Sequence, residues 1–417
     1  MNSCPSVAIA AWLLAAFYYF YQYALRSAPG VMMPQLSEAF GLSAAGLASV
    51  IGLFYWGYAP FSLVAGTSLD RLGAKTVIPV GALMAGIGAL LFGTGNLAAA
   101  NSGRFLQGAG GVFALVGAIY IISKNFPATR VATFVGATQM FGSSGGSAGQ
   151  FLVGPMIAGG LLWNHFWIGM GVAGILLSAL LFILLPNAQP RKRQDDSLKS
   201  SLMALAVVFK NPQSILCGLI AGLMFIPTTI FDMIWGVRFL QEAHGFGYSD
   251  AVIRSATIPL GWIVGCPLMG FISDRLERRK PVIVGGGCVL LACLWCILYG
   301  PTDLLPPYLL GLITGIASGA ALLTYTVIQE ANPPQFGGTA TGVISFLNFS
   351  VSALAGPIFG SLLQSASGAN TRGLEQYQTS FQPLLYSVAV AVLLTLAFMK
   401  ETGTRAVPIL AAKVEAA

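Results

Sequence analysis

Charged residues are scarce in this chain: Asp, Glu, Lys and Arg together make up 8% of its 417 residues. That leaves too little polar surface for a soluble globular protein of this length, so this class is excluded. The sequence contains no Gly-rich phosphate loop after a strand, no GxSxG and no HExxH. The common signatures of an enzyme or of an ATP-driven pump are therefore missing.

Potential metal ligands are also few. The two histidines, His165 and His244, lie far apart in the sequence, and the Cys293-x-x-Cys296 pair lies in an apolar run. Cysteine in such a run behaves as a small hydrophobe. We therefore expect a protein that is not an enzyme and that binds no metal and no cofactor.

Apolar residues are abundant instead, at 56% of the chain, with a mean hydropathy of +0.77. About 20 apolar residues cross a bilayer as a helix, and the sequence predicts an all-α membrane protein with twelve such helices. The many glycines and prolines are tolerated in membrane helices, where small residues let neighbours approach closely. The predicted spans lie near residues 8–33, 43–69, 76–95, 99–123, 131–160, 164–186, 213–241, 249–273, 281–300, 304–329, 338–365 and 382–400.

The chain contains an internal duplication. The segments that follow Arg26 and Asp232 align at a constant offset of 206 residues, and later echoes occur at 204 and 202. Parallel repeats of this size are one way in which transporters are built. The matching pairs at the first offset are Val31 and Val237, Gln35 and Gln241, Phe40-Gly41 and Phe246-Gly247, Ser43 and Ser249, Ala45 and Ala251, and Ser49 and Ser255. The duplication predicts two pseudo-symmetric six-helix bundles.

The polar connections fix the domain boundaries and the orientation. We predict bundles at 1–186 and 213–400, a cytoplasmic linker at 187–212, and a cytoplasmic tail at 401–417. With the N-terminus inside, 16 of the 21 Lys and Arg residues fall on inner segments, as cytoplasmic loops require. The net charge of +7 then reflects topology and contact with anionic lipid. We expect a multi-pass protein of a bacterial inner membrane that binds no nucleic acid.

Two motifs carry a family resemblance. The loop Gly66-x-x-x-Asp70-Arg71-x-Gly73-x-Lys75 resembles the signature loop of the major facilitator superfamily, and Gly270-x-x-x-Asp274-Arg275 is its second-half copy. The run that begins at Arg104 in span four is similar to the family's fourth-helix motif. The resemblance implies a secondary transporter that alternates its access between the two sides, and we expect it to function as a monomer. Glu277-Arg278-Arg279 replaces Gly73-Ala74-Lys75 in the copy, so we expect a different turn there.

The charges of these loops form a predicted cytoplasmic latch. A carboxylate at the inner end of span two can accept hydrogen bonds from a neighbouring helix start and pair with a basic residue of the other half. Such contacts form only when the inner faces of the two halves meet. The alternative is that these charges anchor the loops to the lipid surface. The latch residues are Asp70, Arg71, Lys75, Asp274 and Arg275.

Polar side chains inside the spans predict the substrate site. Tyr19, Tyr23 and Arg26 recur at i, i+4 and i+7 on span one, which places them on one face. A buried guanidinium offers a fixed positive fork for a carboxylate, sulfonate or phosphate. The further candidates for substrate contact are Gln139 on span five, Tyr325 on span ten and Asn348 on span eleven; Gln139 and Asn348 could instead bridge neighbouring helices.

Arg26 and Asp232 allow three interpretations, because charges at membrane depth are rare and usually functional. In the first, Arg26 binds an anionic group while Asp232 takes up a coupling proton or holds the cationic end of a zwitterion. In the second, the two form a salt bridge that acts as an outer gate. In the third, each pairs within its own half. Arg104 is predicted to serve either proton coupling or helix packing.

The predicted function is symport of a small organic anion or zwitterion, such as a carboxylate, sugar acid or amino acid. Without a nucleotide site the energy must come from an ion gradient, and protons are favoured over sodium. Asp232 would protonate once substrate draws Arg26 away. The main alternative is a proton-coupled multidrug or metabolite efflux antiporter, because the stretch from Gly149 to Gly160 loosely resembles an antiporter motif. Arg26 speaks against lipophilic cations as cargo. A receptor or scaffold that binds without transport is a third class.

Overall fold

A computed structural model of the chain describes residues 5–126, 128–186, 198–301, 306, 308–333, 336–365 and 373–402. All regular elements in these ranges are helical, so the all-α prediction is confirmed. The helices are α1 (Pro5–Ser27), α2 (Met33–Phe40), α3 (Ala44–Leu72), α4 (Ala74–Gly93), α5 (Leu97–Asn125), α6 (Ala128–Phe151), α7 (Val153–Ala158), α8 (Trp163–Leu184), α9 (Leu198–Lys210), α10 (Pro212–Ile226), α11 (Gly236–His244), α12 (Tyr248–Leu276), α13 (Lys280–Tyr299), α14 (Leu309–Ser318), α15 (Leu323–Glu330), α16 (Gly337–Ser365) and α17 (Leu374–Phe398).

Short irregular helices join some of these elements into longer spans. Ala28–Met32 and Gly319–Leu322 are 3₁₀ turns, and Pro227–Trp235 is a π-helix that connects α10 to α11. Within the described residues, eleven helical segments are long and apolar enough to cross a membrane. The predicted span at 131–160 corresponds to α6 and α7 and is not among the eleven. The protein is therefore an integral, multi-pass membrane protein.

Local sequence explains where several helices begin and end. The side chain of Asn96 accepts a hydrogen bond from the Ala99 N–H at 3.0 Å, which caps the start of α5. Gly73 ends α3 at φ 76° and ψ 163°, whereas Glu277 ends α12 at φ 54° and ψ 28°. The two turns of the repeated loop therefore differ, as the sequence predicts.

Helices pack within each half and also between the halves. In the first half α3, α4, α5 and α8 form one packed group and α1 lies against α6 and α5. In the second half α10 lies against α16 and α17, and α12 lies against α14. Two long contacts join the halves, α3 with α16 and α6 with α12.

The two halves meet closely at their predicted outer ends. The Tyr248 hydroxyl donates to the Val31 carbonyl, and the Ser147 hydroxyl donates to the Ala256 carbonyl at 3.1 Å. A Cβ atom added to Gly30 would clash with the carbonyl oxygen of Met233. Only a glycine allows backbone to touch backbone in this way. We call the contact of Gly30 with Met233 the outer seal.

Part of the predicted linker is helical, since α9 covers 198–210. The Asn211 side chain then caps α10 through the Gln213 N–H at 3.0 Å and donates to the Ala331 carbonyl at 2.8 Å. The linker thus ends against the inner end of α15. Residues 187–197 and 403–417 lie outside the described ranges, and the domain boundaries stay predictions.

Candidate functional site

Arg26 lies at the centre of the molecule with only 2% of its surface exposed. Its guanidinium carbon is 3.7 Å from the centroid of the Tyr23 ring, 5.7 Å from that of Phe225 and 5.8 Å from that of Phe349. Aromatic faces stabilise a cation through the ring quadrupole. Its Nε and Nη2 atoms have no hydrogen-bond partner within the described part of the chain. The aromatic rings therefore stabilise the positive charge, and the Nε and Nη2 donors remain available to a ligand.

The tyrosines predicted to share a face with Arg26 form a hydrogen-bonded group with Gln139. The Tyr19 hydroxyl lies 3.2 Å from Gln139 Oε1 and 3.3 Å from the Tyr23 hydroxyl. Gln139 Nε2 approaches the Tyr23 hydroxyl at 3.5 Å. The structure thus brings together these four predicted residues, on α1 and α6.

A second polar group comes from α15 and α16. Asn348 Nδ2 donates to the Tyr325 hydroxyl at 3.2 Å, and the Ser345 hydroxyl lies 3.4 Å from the same oxygen. Asn348 Oδ1 is buried without a partner among the described residues. The two predicted candidates of the second half thus contact each other.

Tyr23, Arg26 and Gln139 border a narrow cavity between the halves, whereas Tyr325 and Asn348 are not among its lining residues. The Trp262 indole N–H on its wall donates to the Thr228 hydroxyl at 3.1 Å. We call this space the central cavity. It is lined by Tyr23, Arg26, Gln139, Ser143, Phe225, Thr228, Met233, Pro259 and Trp262. Its walls are largely aromatic and apolar, and Arg26 supplies the one charge among these lining residues.

Asp232 lies outside the lining of the central cavity. It is 1% exposed, and its Oδ1 accepts a hydrogen bond from the Ser255 hydroxyl at 2.9 Å. The Gln150 amide lies beside the carboxylate without closing a hydrogen bond, and Oδ2 has no partner among the described residues. The described ion pairs are Arg238–Glu242, Arg279–Asp274 and Arg279–Glu330. Among the described residues, Arg26 and Asp232 thus form no ion pair with each other or within their own halves.

The π-helix explains why Asp232 does not line the central cavity. Proline lacks a backbone N–H and disturbs the helical ladder at Pro227, and the chain runs as a π-helix from there to Trp235. A π-helix fits more residues into each turn, so its side chains follow a different angular spacing from those of an α-helix. Such segments often occur at functional sites. Thr228 therefore lines the central cavity, whereas Asp232, four residues later, does not.

Arg104 is fully buried and bonds mainly to backbone. Its Nη1 donates to the Leu25 carbonyl at 3.1 Å and to Gln107 Oε1 at 2.6 Å, and Nη2 donates to the Ile51 carbonyl at 3.3 Å. These bonds tie α5 to α1 and α3. They are the contacts expected of a packing role, while a role in proton coupling stays a prediction.

The predicted latch residues are only partly described. The side chains of Asp70 and Arg71 lie outside the described residues, and Lys75 is half-buried. Arg275 is exposed. Asp274 pairs with Arg279 of its own half, and Arg279 also pairs with Glu330 at 3.0 Å. The latch between the halves therefore stays a prediction, and Arg279, which the sequence analysis did not select, joins two carboxylates of its own half.

The inner cluster around Arg279 also includes the segment after α17. Glu401 Oε1 accepts from the backbone N–H of Arg279 at 2.7 Å and from that of Lys280 at 3.3 Å. The Thr402 hydroxyl donates to Glu330 Oε2 at 2.6 Å. Partial burial lowers the pKa of Arg279, but the hydrogen bonds to Asp274 and Glu330 outweigh it, so the pKa lies above its ordinary value. Arg279 therefore stays charged at every working pH.

The sequence analysis missed several residues of the site. Phe225 and Phe349 flank Arg26 from the second half, and Ser255 and Gln150 surround Asp232. Phe349 follows the predicted Asn348 directly, which was the only available hint. In the residues that the structure describes, no three His, Cys, Asp or Glu side chains form a group that could hold a metal ion. The site is therefore a guanidinium that lies among aromatic rings.

Comparison with known proteins gives a family match over most of the chain. A sequence model described as Major Facilitator Superfamily matches residues 15–357. The chain is 27% identical over 368 residues to the MFS-type transporter SLC18B1 of Rattus norvegicus, covering 80% of this chain and 76% of that protein. It is 26% identical over 344 residues to the hexuronate transporter of Bacillus subtilis, covering 77% and 80%.

Two further matches widen the range of relatives. The chain is 23% identical over 389 residues to the multidrug resistance protein Stp of Mycobacterium tuberculosis, covering 80% of this chain and 72% of that protein. Its fold resembles the crystal structure of a bacterial homologue of the human lysosomal transporter Spinster in an inward-facing, unoccupied conformation. That match has a TM-score of 0.70 and 16% identity, and it covers 94% of this chain and 97% of the other.

Proposed function

Because the chain belongs to the major facilitator superfamily of transporters, we propose that it moves a small organic anion across the membrane by binding it at Arg26. The observation that carries the proposal is the buried guanidinium, whose Nε and Nη2 have no hydrogen-bond partner among the described residues. An uncompensated buried charge is costly. A carboxylate or sulfonate that accepts from these donors would supply the missing counter-charge.

The lining of the central cavity supplies contacts for the body of such a substrate, which would have to widen the cavity, because its present volume is about 10 Å³. Tyr23, Phe225 and Trp262 offer apolar and aromatic walls, and Gln139 and Thr228 offer polar atoms that can orient a substituent. An amino acid would need an anion to hold its ammonium group, and Asp232 lies outside the cavity lining. We therefore favour a carboxylate or sugar acid over a zwitterion. The hexuronate transporter among the relatives supports this class.

Proton symport is the proposed source of energy. Asp232 is a buried carboxylate with a single hydrogen bond, from Ser255. A carboxylate in this position can take up a proton without losing an ion pair. Substrate at Arg26 and a proton on Asp232 would together remove the uncompensated charges from the interior, which favours the passage of the loaded protein through a closed state. We place the protein in a bacterial inner membrane and propose that it works as a monomer.

Efflux of drugs or metabolites in exchange for protons is the second candidate. The aromatic walls of the central cavity favour it, since they suit lipophilic cargo, and Stp is a multidrug resistance protein. Arg26 disfavours lipophilic cations. The charge of the ligand that binds in the central cavity therefore distinguishes anion symport from drug efflux.

A thermal-shift screen of the purified chain tests the proposal. Carboxylates, sulfonates, sugar acids, amino acids and cationic drugs would each be titrated against the parent protein and Arg26→Gln, with Arg26→Lys as a charge-preserving control. We expect an organic anion to raise the melting temperature of the parent but not of Arg26→Gln. Stabilisation by cations alone, or by an anion equally in both proteins, would overturn it.

A further inference from the structure

A second cavity lies in the predicted outer half of the C-terminal bundle, away from the central cavity. Its volume is about 90 Å³, and it opens to solvent. We call it the peripheral cavity. It lies between the π-helix with α11, the outer part of α12, the end of α13 and the start of α14. Its lining residues are Phe231, Gly236, Leu240, Arg254, Ser255, Ile258, Ile297, Pro301, Pro306, Tyr308, Leu310 and Gly311.

Arg254 is the single charge in this apolar lining. Its guanidinium carbon is 4.1 Å from the centroid of the Phe246 ring and 5.9 Å from that of Tyr308. Among the residues that the structure describes, its buried Nε has no hydrogen-bond partner and Arg254 joins none of the ion pairs. Asp250, one turn earlier on the same helix, is exposed and does not pair with it. Arg254 thus resembles Arg26, because each guanidinium contacts aromatic rings and has an Nε donor without a hydrogen-bond partner among the described residues.

Tyr308 forms part of the mouth. It adopts φ 77°, in the left-handed region that non-glycine residues rarely occupy, and it is 44% exposed. This backbone turns the chain into α14 and places the ring near Arg254. At the other end the cavity reaches Ser255, whose hydroxyl holds Asp232. An occupant would therefore extend from the aromatic mouth toward the residue that supports Asp232.

We propose that the peripheral cavity binds a water-soluble amphipathic monoanion, with its anionic group on Arg254 and its hydrocarbon body against Phe231, Leu240 and Ile297. Charge complementarity selects an anion, because a cation or hydronium would be repelled by Arg254. The apolar lining selects a hydrocarbon body. This site is separate from the central cavity, and the proposal does not rest on transport at Arg26.

Octanoate is a suitable probe, with octanol as its neutral match. Equilibrium binding of radiolabelled octanoate would be measured on the full chain in phosphatidylcholine nanodiscs. We expect Arg254→Gln to weaken octanoate binding by about tenfold or more, since a hydrogen bond to a charged group is lost, and Arg26→Gln to change it less than about twofold. Octanol should bind parent and Arg254→Gln alike.

A second variant guards against misfolding of Arg254→Gln. Leu240→Trp fills the peripheral cavity and should abolish octanoate binding, while Leu219→Trp, at an exposed position of α10 outside the cavity lining, should not.

Three results would overturn the proposal. Octanoate could bind Arg254→Gln and Leu240→Trp as it binds the parent. Its binding could be lost in Arg26→Gln alone, which would place it in the central cavity. Displacement of octanoate by phosphatidylglycerol added to the nanodiscs would identify a lipid headgroup as the occupant. The octanoate measurements remain interpretable even if the Arg26 thermal-shift test fails, because the two tests probe different cavities.

Discussion

The guanidinium of Arg26 rests on the ring of Tyr23, with 3.7 Å between the guanidinium carbon and the ring centroid. Both residues belong to α1, three positions apart, so one helix supplies the charge and the surface that holds it. The pair is preorganised, because neither side chain has to move before a ligand arrives. Preorganisation lowers the cost of binding.

Tyr23→Phe and Tyr23→Leu separate the ring from its hydroxyl. We expect Tyr23→Phe to keep anion affinity within about threefold, and Tyr23→Leu to lose about tenfold or more, because a desolvated cation–π contact contributes about 2 kcal/mol or more. The measurement is a thermal-shift titration with the anion found for the parent. Equal affinity of Tyr23→Leu and the parent would show that the ring does not hold Arg26 in its binding position.

Asp232→Asn tests the coupling role. Asparagine keeps an acceptor for the Ser255 hydroxyl, so the local packing survives while the titratable proton is lost. We expect proton-driven accumulation in proteoliposomes to disappear while exchange of substrate across the membrane continues. Ser255→Ala is the matched control, because it removes the hydrogen bond and keeps the carboxylate. Uphill accumulation by Asp232→Asn would exclude Asp232 as the coupling residue.

Gly30→Leu tests the outer seal. Any side chain at this position meets the Met233 carbonyl, so we expect the two halves to stay apart at their outer ends and transport to be lost. Gly52→Leu, in the same half but with open space around its Cβ, is the control and should keep transport. Surface expression of both variants is measured alongside. Normal transport by Gly30→Leu would mean that the seal does not need close backbone contact.

Glu401→Ala tests the cap on α13. Its removal leaves the N–H groups of Arg279 and Lys280 without their acceptor, and a lost cap costs about 1 kcal/mol. We expect lower thermal stability and faster hydrogen exchange at these two amides. Glu401→Gln keeps an acceptor oxygen and should retain most of the protection. Parental exchange rates in Glu401→Ala would rule out a stabilising cap.

The first-half part of the site was predictable because it follows one helix period. Tyr19, Tyr23 and Arg26 stand at i, i+4 and i+7, and that spacing places them together in any straight helix. The structure adds Gln139 of α6 to the same group, while its role in substrate contact stays a prediction. A local pattern was enough here, since no contact between distant segments had to be known.

Asp232 shows where this reasoning fails. The duplication places Asp232 opposite Arg26 in sequence, but the π-helix alters the angular spacing of its side chains. Pro227 was the one local sign of such a disturbance. Whether a chain relieves a proline by a kink or by a π-helix depends on its packing against neighbouring helices, which the sequence alone does not state.

The aromatic neighbours of Arg26 could not be predicted from the sequence, for a different reason. Phe225 and Phe349 lie on α10 and α16 of the other half, and many phenylalanines in the chain have similar surroundings in sequence. Arg279, in contrast, carried a signal: it stands at an offset of 204 from Lys75 in the repeated loop. The duplication thus predicts a basic residue at this position, and Arg279 forms its ion pairs with Asp274 and Glu330 there.

The outer seal of Gly30 against Met233 consists of uncharged main-chain atoms. Salt has no charge to screen in such a contact, and pH has no group there to titrate. Closure at the predicted outer side should therefore proceed equally well in dilute and concentrated salt. A dependence of transport on ionic strength would have to arise at charged groups elsewhere, such as Arg279 and its carboxylate partners on the predicted cytoplasmic side.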